Sequence, residues 1–309
     1  MIVDAFDYPT AQNDLSVYST QYGLPAITSS NFQVAYATGT KPPQDSTGGW
    51  EFEESLDIET AHAMAPGAKI ILMEAKSNGN NDLNTAVTAA VKLVEAAGGG
   101  QISMSWGGSE TASEENNEKI YTGTNVVFLA STGDAPGTIE PSVLQNVIGV
   151  GGTNIVRDKN FNFESEVAWP NTGGGISKYV PIPSYQSSVK KIKKIVGKQR
   201  GVPDISMNGG PSSAVSIYDT TKYKGTVLNW AGAYGTSESS PLLAGVLNAA
   251  GVFSASTAAE LKTVYSGYTS KANWRDIISG TCSNNGGSTA KKGYDLCSGV
   301  GVPKGYAGK

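Results

Sequence analysis

A serine set between a glycine turn and an apolar helix can act as a nucleophile, and Ser237 is so placed. The run Gly235-Thr236-Ser237-Glu238-Ser239-Ser240-Pro241 leads into the apolar stretch LLAGVLNAAG. There a hydroxyl gains from the positive end of the helix dipole and from exposure in the turn. The same pattern also describes a Thr236 or Ser237 that merely caps the helix. A nucleophilic serine needs a base, and the 309 residues contain one histidine, His62. Carboxylates are the other source. Glu53 and Asp57 are four residues apart, which on a helix sets them about 40° from each other on one face. By the same geometry His62 stands about 180° from Glu53 and about 140° from Asp57. The pair and the histidine therefore exclude each other as partners of one serine. Glu54, about 60° from Asp57 on the wheel, competes for the partner's place. Taken alone, the pair also reads as two surface acids at a helix start.

Two carboxylates in contact cannot both ionise cheaply, so they share a proton and titrate together. Such a pair can take a serine proton only in acid. Asp134 closes NVVFLASTGD in a glycine-flanked loop, where it reads locally as a turn residue bonding its own backbone. Cys282 and Cys297 bracket a C-terminal loop containing Lys291, Gly293 and Asp295. They would be thiols in a reducing compartment; in an oxidising one a bridge would close about 15 residues and add ~3 kcal/mol.

The elements around these residues alternate. MIVDAF reads as a strand, DLSVYSTQYGLP as a helix stopping at Gly23, SLDIETAHAMA as a helix, and AKIILMEA as a buried strand. NDLNTAVTAAVKLVEAAGGG reads as a helix with an Asn/Asp cap; QISMSWGG and NVVFLASTGD are strands running into loops. Alternation of this kind implies an α/β fold, a parallel sheet with helices on both faces and functional groups at the strands' carboxyl ends. The second half is less regular: VSIYDTTKYKGTVLNW suggests a hairpin, and Pro241 suits the first turn of the helix that follows. No repeat or low-complexity linker divides the chain, so residues 1–309 read as one domain. Hydrophobic content of 39% suffices for a core. A net charge of −4 argues against nucleic acid as the default partner. Lys190 to Arg200 reads as a solvated loop or strand edge. No apolar run approaches the ~18 residues that span a bilayer. MIVDAFDYP lacks the basic and apolar regions of a signal peptide.

In order along the chain, Glu53-Glu54-Ser55-Leu56-Asp57, Ala65-Pro66-Gly67-Ala68-Lys69, Ser105-Trp106-Gly107, Ser131-Thr132-Gly133-Asp134, Arg200-Gly201-Val202-Pro203-Asp204, the Ser237 turn and Gly293-Tyr294-Asp295 resemble the sedolisin family, the kumamolisin-like serine-carboxyl peptidases. The resemblance runs from Val3 to Pro303. It implies a subtilisin-like fold and an acid-acting endopeptidase that hydrolyses peptide bonds through an acyl-enzyme on Ser237. Glu53 and Asp57 would be the base pair, and protonated Asp134 would donate in the oxyanion hole. Ser105, Trp106 and Gly107 would pair with an extended substrate as an added strand does. One structural calcium would be held by the carboxylates of Asp276 and Asp295 and the carbonyls of Ile277, Lys291 and Gly293. The family usually has glycine where Lys291 stands, but only a backbone carbonyl is needed there. Polypeptide substrates, secretion, a monomer and an N-terminal prodomain outside this chain are implied as well. Two other readings remain. A subtilisin-like peptidase would use His62 with Asp4 to orient it, although Ala63-Met64-Ala65 follows the histidine where Gly-Thr would be expected. A non-catalytic peptide-binding domain could also keep the fold.

Overall fold

The computed structural model describes residues 1–282 and 289–309. Its first half alternates as the sequence predicts: β1 (Ile2–Ala5), α1 (Ala11–Tyr22), β2 (Phe32–Tyr36), α2 (Gly49–Met64), β3 (Ile70–Ala75), α3 (Asn80–Ala96) and β4 (Gly100–Met104). Helix α1 ends where Gly23 takes a left-handed φ of 65°. The cap expected for α3 is absent: Gly79 holds the N-cap without a side-chain bond, and Asp82 instead accepts from Ser77 Oγ at 2.6 Å. Next come β5 (Gly108–Ser109), β6 (Val126–Ser131), β7 (Ile139–Glu140), which pairs antiparallel with β5, β8 (Ile148–Arg157) and β9 (Phe163–Ala168). The rest comprises β10 (Gly175–Pro181), α4 (Ser184–Ser187), α5 (Lys190–Val196), β11 (Gln199–Val202) and β12 (Ile205–Asn208). It ends with β13 (Val215–Tyr223) and β14 (Thr226–Ala233), the expected hairpin, then α6 (Thr236–Ala249), α7 (Thr257–Ser266), β15 (Trp274–Arg275) and β16 (Val302–Pro303).

The central sheet runs β12-β8-β6-β4-β1-β3-β2, parallel throughout, with β9 added antiparallel to β8. All six residues of β6 are buried, as befits a strand covered on both faces. Val127 and Leu129 enter one core, while Val126, Phe128 and Ala130 enter the other. On the second face α3 buries Leu83, Ala86, Val87, Ala90 and Val94 at helical spacing. The larger of these are worth about 1.5–3 kcal/mol each. On the first face α2 and α6 lie side by side. They meet at Gly245, where an added Cβ would stand 2.5 Å from Met64 Cβ, a distance no packing tolerates. Gly245→Ala should therefore destabilise by about 1–3 kcal/mol, read as a lower midpoint in urea with unchanged slope. An unchanged midpoint would mean that the two helices are not in contact there.

The basic run is a correction. Lys190–Val196 coils into α5 with Ile192 and Val196 buried, since those two fall on one helical face. Arg200 is wholly buried in β11 and pairs with Asp204 at 2.5 and 2.8 Å. Tyr265 and the Gly149 N–H also donate to Asp204. A buried pair is tolerable only when its remaining donors and acceptors are met in this way.

Candidate active site

The sequence order of the strands reverses at β1, whose neighbours are β3 and β4. Ligand crevices in open α/β sheets form at such reversals, beyond the strands' carboxyl ends. Asp4 lies at the end of β1, Ser105 just past β4, Asp134 just past β6, and α2 and α6 bring Glu53, Asp57 and Ser237 to the same place.

Ser237 is the second residue of α6, half-buried and therefore reachable. The helix is capped by Gly235, so neither Thr236 nor Ser237 is the N-cap. Pro241 stands in the second turn, beyond the expected first, and has no N–H to give the Ser237 carbonyl one turn back. The Ser105 hydroxyl donates to that carbonyl instead, at 3.1 Å. Ser105 thus supports the nucleophile's backbone. Trp106 is locked by its indole N–H on the Val3 carbonyl at 2.8 Å, and Gly107 packs where a Cβ would meet the Glu140 carbonyl at 2.6 Å. Trp106 and Gly107 line a cavity of about 510 Å³ that also takes in Trp50, Asn81 and Tyr121.

Glu53 and Asp57 come together as the helical spacing requires. Burial pushes the Glu53 carboxyl up to about 7; the approach of the Ser237 hydroxyl opposes the rise and the Asp134 charge adds to it. Asp57 is fully buried and raised well above the usual carboxylate range, first by desolvation, then by Asp4 and Glu53. Ser105 approaches it closely enough to oppose the rise, yet neither Asp57 oxygen has a well-formed hydrogen-bond partner. His62 is turned away: its Nε2 lies 2.7 Å from Ser19 Oγ on α1, and burial lowers its pKa.

Asp134 Oδ1 accepts from the N–H and the hydroxyl of Thr236, at 2.8 and 2.9 Å. Its other oxygen sits where a Gly235 Cβ would be 2.8 Å away, so glycine, with φ of 138°, permits the approach. Asp134 opens onto solvent, yet the packing around its carboxyl raises its pKa, outweighing the Thr236 bonds that favour the charged form.

Sequence reasoning did not find the extent of the buried acid. Asp4 is fully buried and raised by desolvation, then by Glu53 and Glu74. Glu54 turns from Ser237 towards Asp4 and Glu74, with both oxygens buried and unpartnered. Desolvation lifts Glu74 to about 8, although Tyr8 donates its backbone N–H at 3.1 Å. The only cation facing this group in the described residues is Lys41, 3.1 Å from Asp7. Beside the serine, Glu238 is likewise buried and raised to about 8, with Asn208 donating at 2.6 Å.

In the C-terminal loop the disulfide Cys282–Cys297 is present. Asp276 accepts from the Gly293 N–H at 2.9 and 3.1 Å, and Asp295 from the N–H groups of Lys291, Cys297 and Ser298. No cluster of three acidic, histidine or cysteine side chains suited to a metal exists among the described residues. Two carboxylates and the carbonyls of Ile277, Lys291 and Gly293 in one loop nevertheless fit calcium in donor chemistry, all being hard oxygens.

A model of the subtilase family matches residues 37–292. Kumamolisin from Bacillus sp. (strain MN-32) is 30% identical over 216 residues, covering 60% of this chain and 39% of that protein. Xanthomonalisin from Xanthomonas sp. (strain T-22) is 25% identical over 93% of this chain and 40% of that protein. The chain thus spans less than half the length of these curated relatives. Among solved structures, a Pseudomonas sedolisin, a serine-carboxyl proteinase complexed with two molecules of pseudo-iodotyrostatin, superposes with a TM-score of 0.79. It is 24% identical and covers 98% of this chain and 88% of its own. The expected subtilisin-like fold is the one observed.

Proposed function

We propose that this chain, which belongs to the subtilase family and is a sedolisin-like member of it, is the catalytic domain of a serine-carboxyl endopeptidase that works in acid. The observation that carries the reading is the convergence of the half-buried Ser237 with Glu53, whose carboxyl the Ser237 hydroxyl approaches closely enough to influence, and with buried Asp57 behind it. Ser237 Oγ attacks the scissile carbonyl as its proton passes to Glu53. The reactive form has Glu53 ionised while Asp57 keeps its proton; repulsion between the two makes that division favourable. Protonated Asp134 donates to the developing oxyanion, a contribution typically worth ~2.7–4 kcal/mol. Glu53 then returns the proton to the leaving amine, and water releases the acyl group by the reverse path. Ser105, Trp106 and Gly107, beside their cavity, would pair through their backbone with an extended polypeptide, while the Ser105 hydroxyl holds the Ser237 backbone in place. Residues 1–309 act as one monomeric domain, following a prodomain, and the disulfide accords with secretion.

The pH profile tests the mechanism. Activity should peak at roughly pH 3–5, near free carboxyl values. It should fall as the pH rises towards neutral, because Asp134 then loses the proton it donates to the oxyanion and the Glu53–Asp57 pair loses the one proton that Asp57 must keep. Asp134→Asn keeps a neutral donor and should partly lift the alkaline limb. An optimum at pH 7–8 would overturn the carboxylate mechanism.

One structural calcium would be held by Asp276, Asp295 and the three carbonyls, stabilising the loop that the disulfide closes. Calcium at 100 times its Kd should add about 2.7 kcal/mol. A chelator should lower the melting temperature, and Asp276→Ala should abolish the response. A melting temperature indifferent to calcium would remove the ion from this reading.

A further inference from the structure

Charge is segregated along the chain: residues 1–177 carry 21 acids and 7 Lys or Arg, residues 178–309 carry 6 acids and 16. Four of those six acids, Asp204, Asp219, Glu238 and Glu260, are buried with hydrogen-bond partners, and Asp295 is buried beneath its loop. The exposed side of this half is therefore almost purely basic. Within it lies a cavity of about 420 Å³ between α5 and the loops 268–276 and 291–294. Lys191, Lys271 and Lys292 line it, from three separate elements, together with the hydroxyl residues Thr269 and Ser270. Its one carboxylate, Asp276, accepts from the Gly293 N–H and is also a calcium ligand in the reading above, so with the ion in place its charge is offset and the cavity is more positive still. Lys304 adds its ammonium at the Lys271 carbonyl, 3.0 Å away.

A cavity of this volume is no wider than about a Debye length, ~8–10 Å, so an anion inside it lies within the unscreened reach of the three lysines that line it. A bound anion with several oxygens can accept from more than one ammonium group at once, and the hydroxyls add neutral donors. We propose that this cavity is a binding site for a phosphate-ester anion, either a soluble ester or the headgroup of an anionic lipid. The preference for phosphate rests on the acid working range proposed above: a carboxylate ligand loses its charge there, whereas a phosphate ester keeps one. The cavity and its lysines do not depend on that reading.

The test titrates inorganic pyrophosphate into the full chain at pH 5 and pH 7 by calorimetry. Lys191→Gln/Lys271→Gln/Lys292→Gln is compared with a control, Lys190→Gln/Lys193→Gln/Lys194→Gln, which removes equal charge from the neighbouring surface of α5. We expect binding at both pH values, weakened about 100-fold in the cavity variant, some fivefold per lysine, and less than about fivefold in the control. Phosphatidylglycerol vesicles then separate the sources: sedimentation of the wild type but not the cavity variant supports a lipid headgroup, and pyrophosphate binding without sedimentation supports a soluble ester. Binding at pH 7 that vanishes at pH 5 removes the phosphate preference. No pyrophosphate binding at either pH, or equal loss in both triple variants, overturns the site, whatever the peptidase assay shows.

Discussion

Ser237→Ala should abolish protein hydrolysis, lowering kcat by at least about 10⁴-fold, and leave the melting temperature within a few degrees of the parent. The structure separates the two effects. What α6 requires of residue 237 is its carbonyl, which takes the Ser105 hydroxyl in place of the N–H that Pro241 lacks. The Ser237 hydroxyl faces Glu53. Alanine keeps the carbonyl, so the fold is spared while the nucleophile is lost. Turnover within tenfold of wild type at acid pH would end the assignment.

Glu53→Gln should cost about 10²–10⁴-fold in kcat, the usual range for loss of a positioned proton acceptor. The amide matches the carboxyl in size but cannot take the serine proton. His62→Ala removes a buried ring and its bond to Ser19, so it should lower stability by about 1–3 kcal/mol with kcat nearly unchanged. The pair of variants discriminates because α2 points the two side chains to opposite sides, one at α6 and one at α1. Full activity in Glu53→Gln together with loss in His62→Ala would restore a histidine mechanism.

What was legible in the sequence was local or periodic. Continuous apolar runs such as that of β6, the helical stripe of α3 and the Gly23 stop of α1 each follow from neighbours a few residues apart. The Glu53–Asp57 juxtaposition is likewise one turn of one helix. The glycines of β8, GVGG, blunt any strand signal, so a central strand passed unremarked. The partnership of Ser105 with Ser237 spans 132 residues and exists because a proline omits one hydrogen bond. The sequence therefore showed Ser105 only as a substrate contact and not the support its hydroxyl gives to the helix. Asp4, Glu54 and Glu74 come from three elements, and nothing in any one segment says that they converge. Arg200 looked like part of a solvated charge run because Asp204 alone does not announce a buried pair.

The convergence of those acids bears on how far the working pH could be moved by redesign. A carboxyl whose folded-state pKa lies above its unfolded value holds a proton that the unfolded chain has already lost. Its contribution is intact below about pH 4 and drains away as pH rises through the folded value. For Glu74 that window runs up to about 8, for Glu53 to about 7. Ionising one carboxyl held so far above its free value costs the fold about 4 kcal/mol, a large share of a typical domain's stability. A designer who replaced Asp134 to gain neutral activity would meet a scaffold losing stability over the same interval. Adaptation to neutral conditions would have to begin at Asp4, Glu54 and Glu74, behind the reacting groups, where acid tolerance is written into the packing.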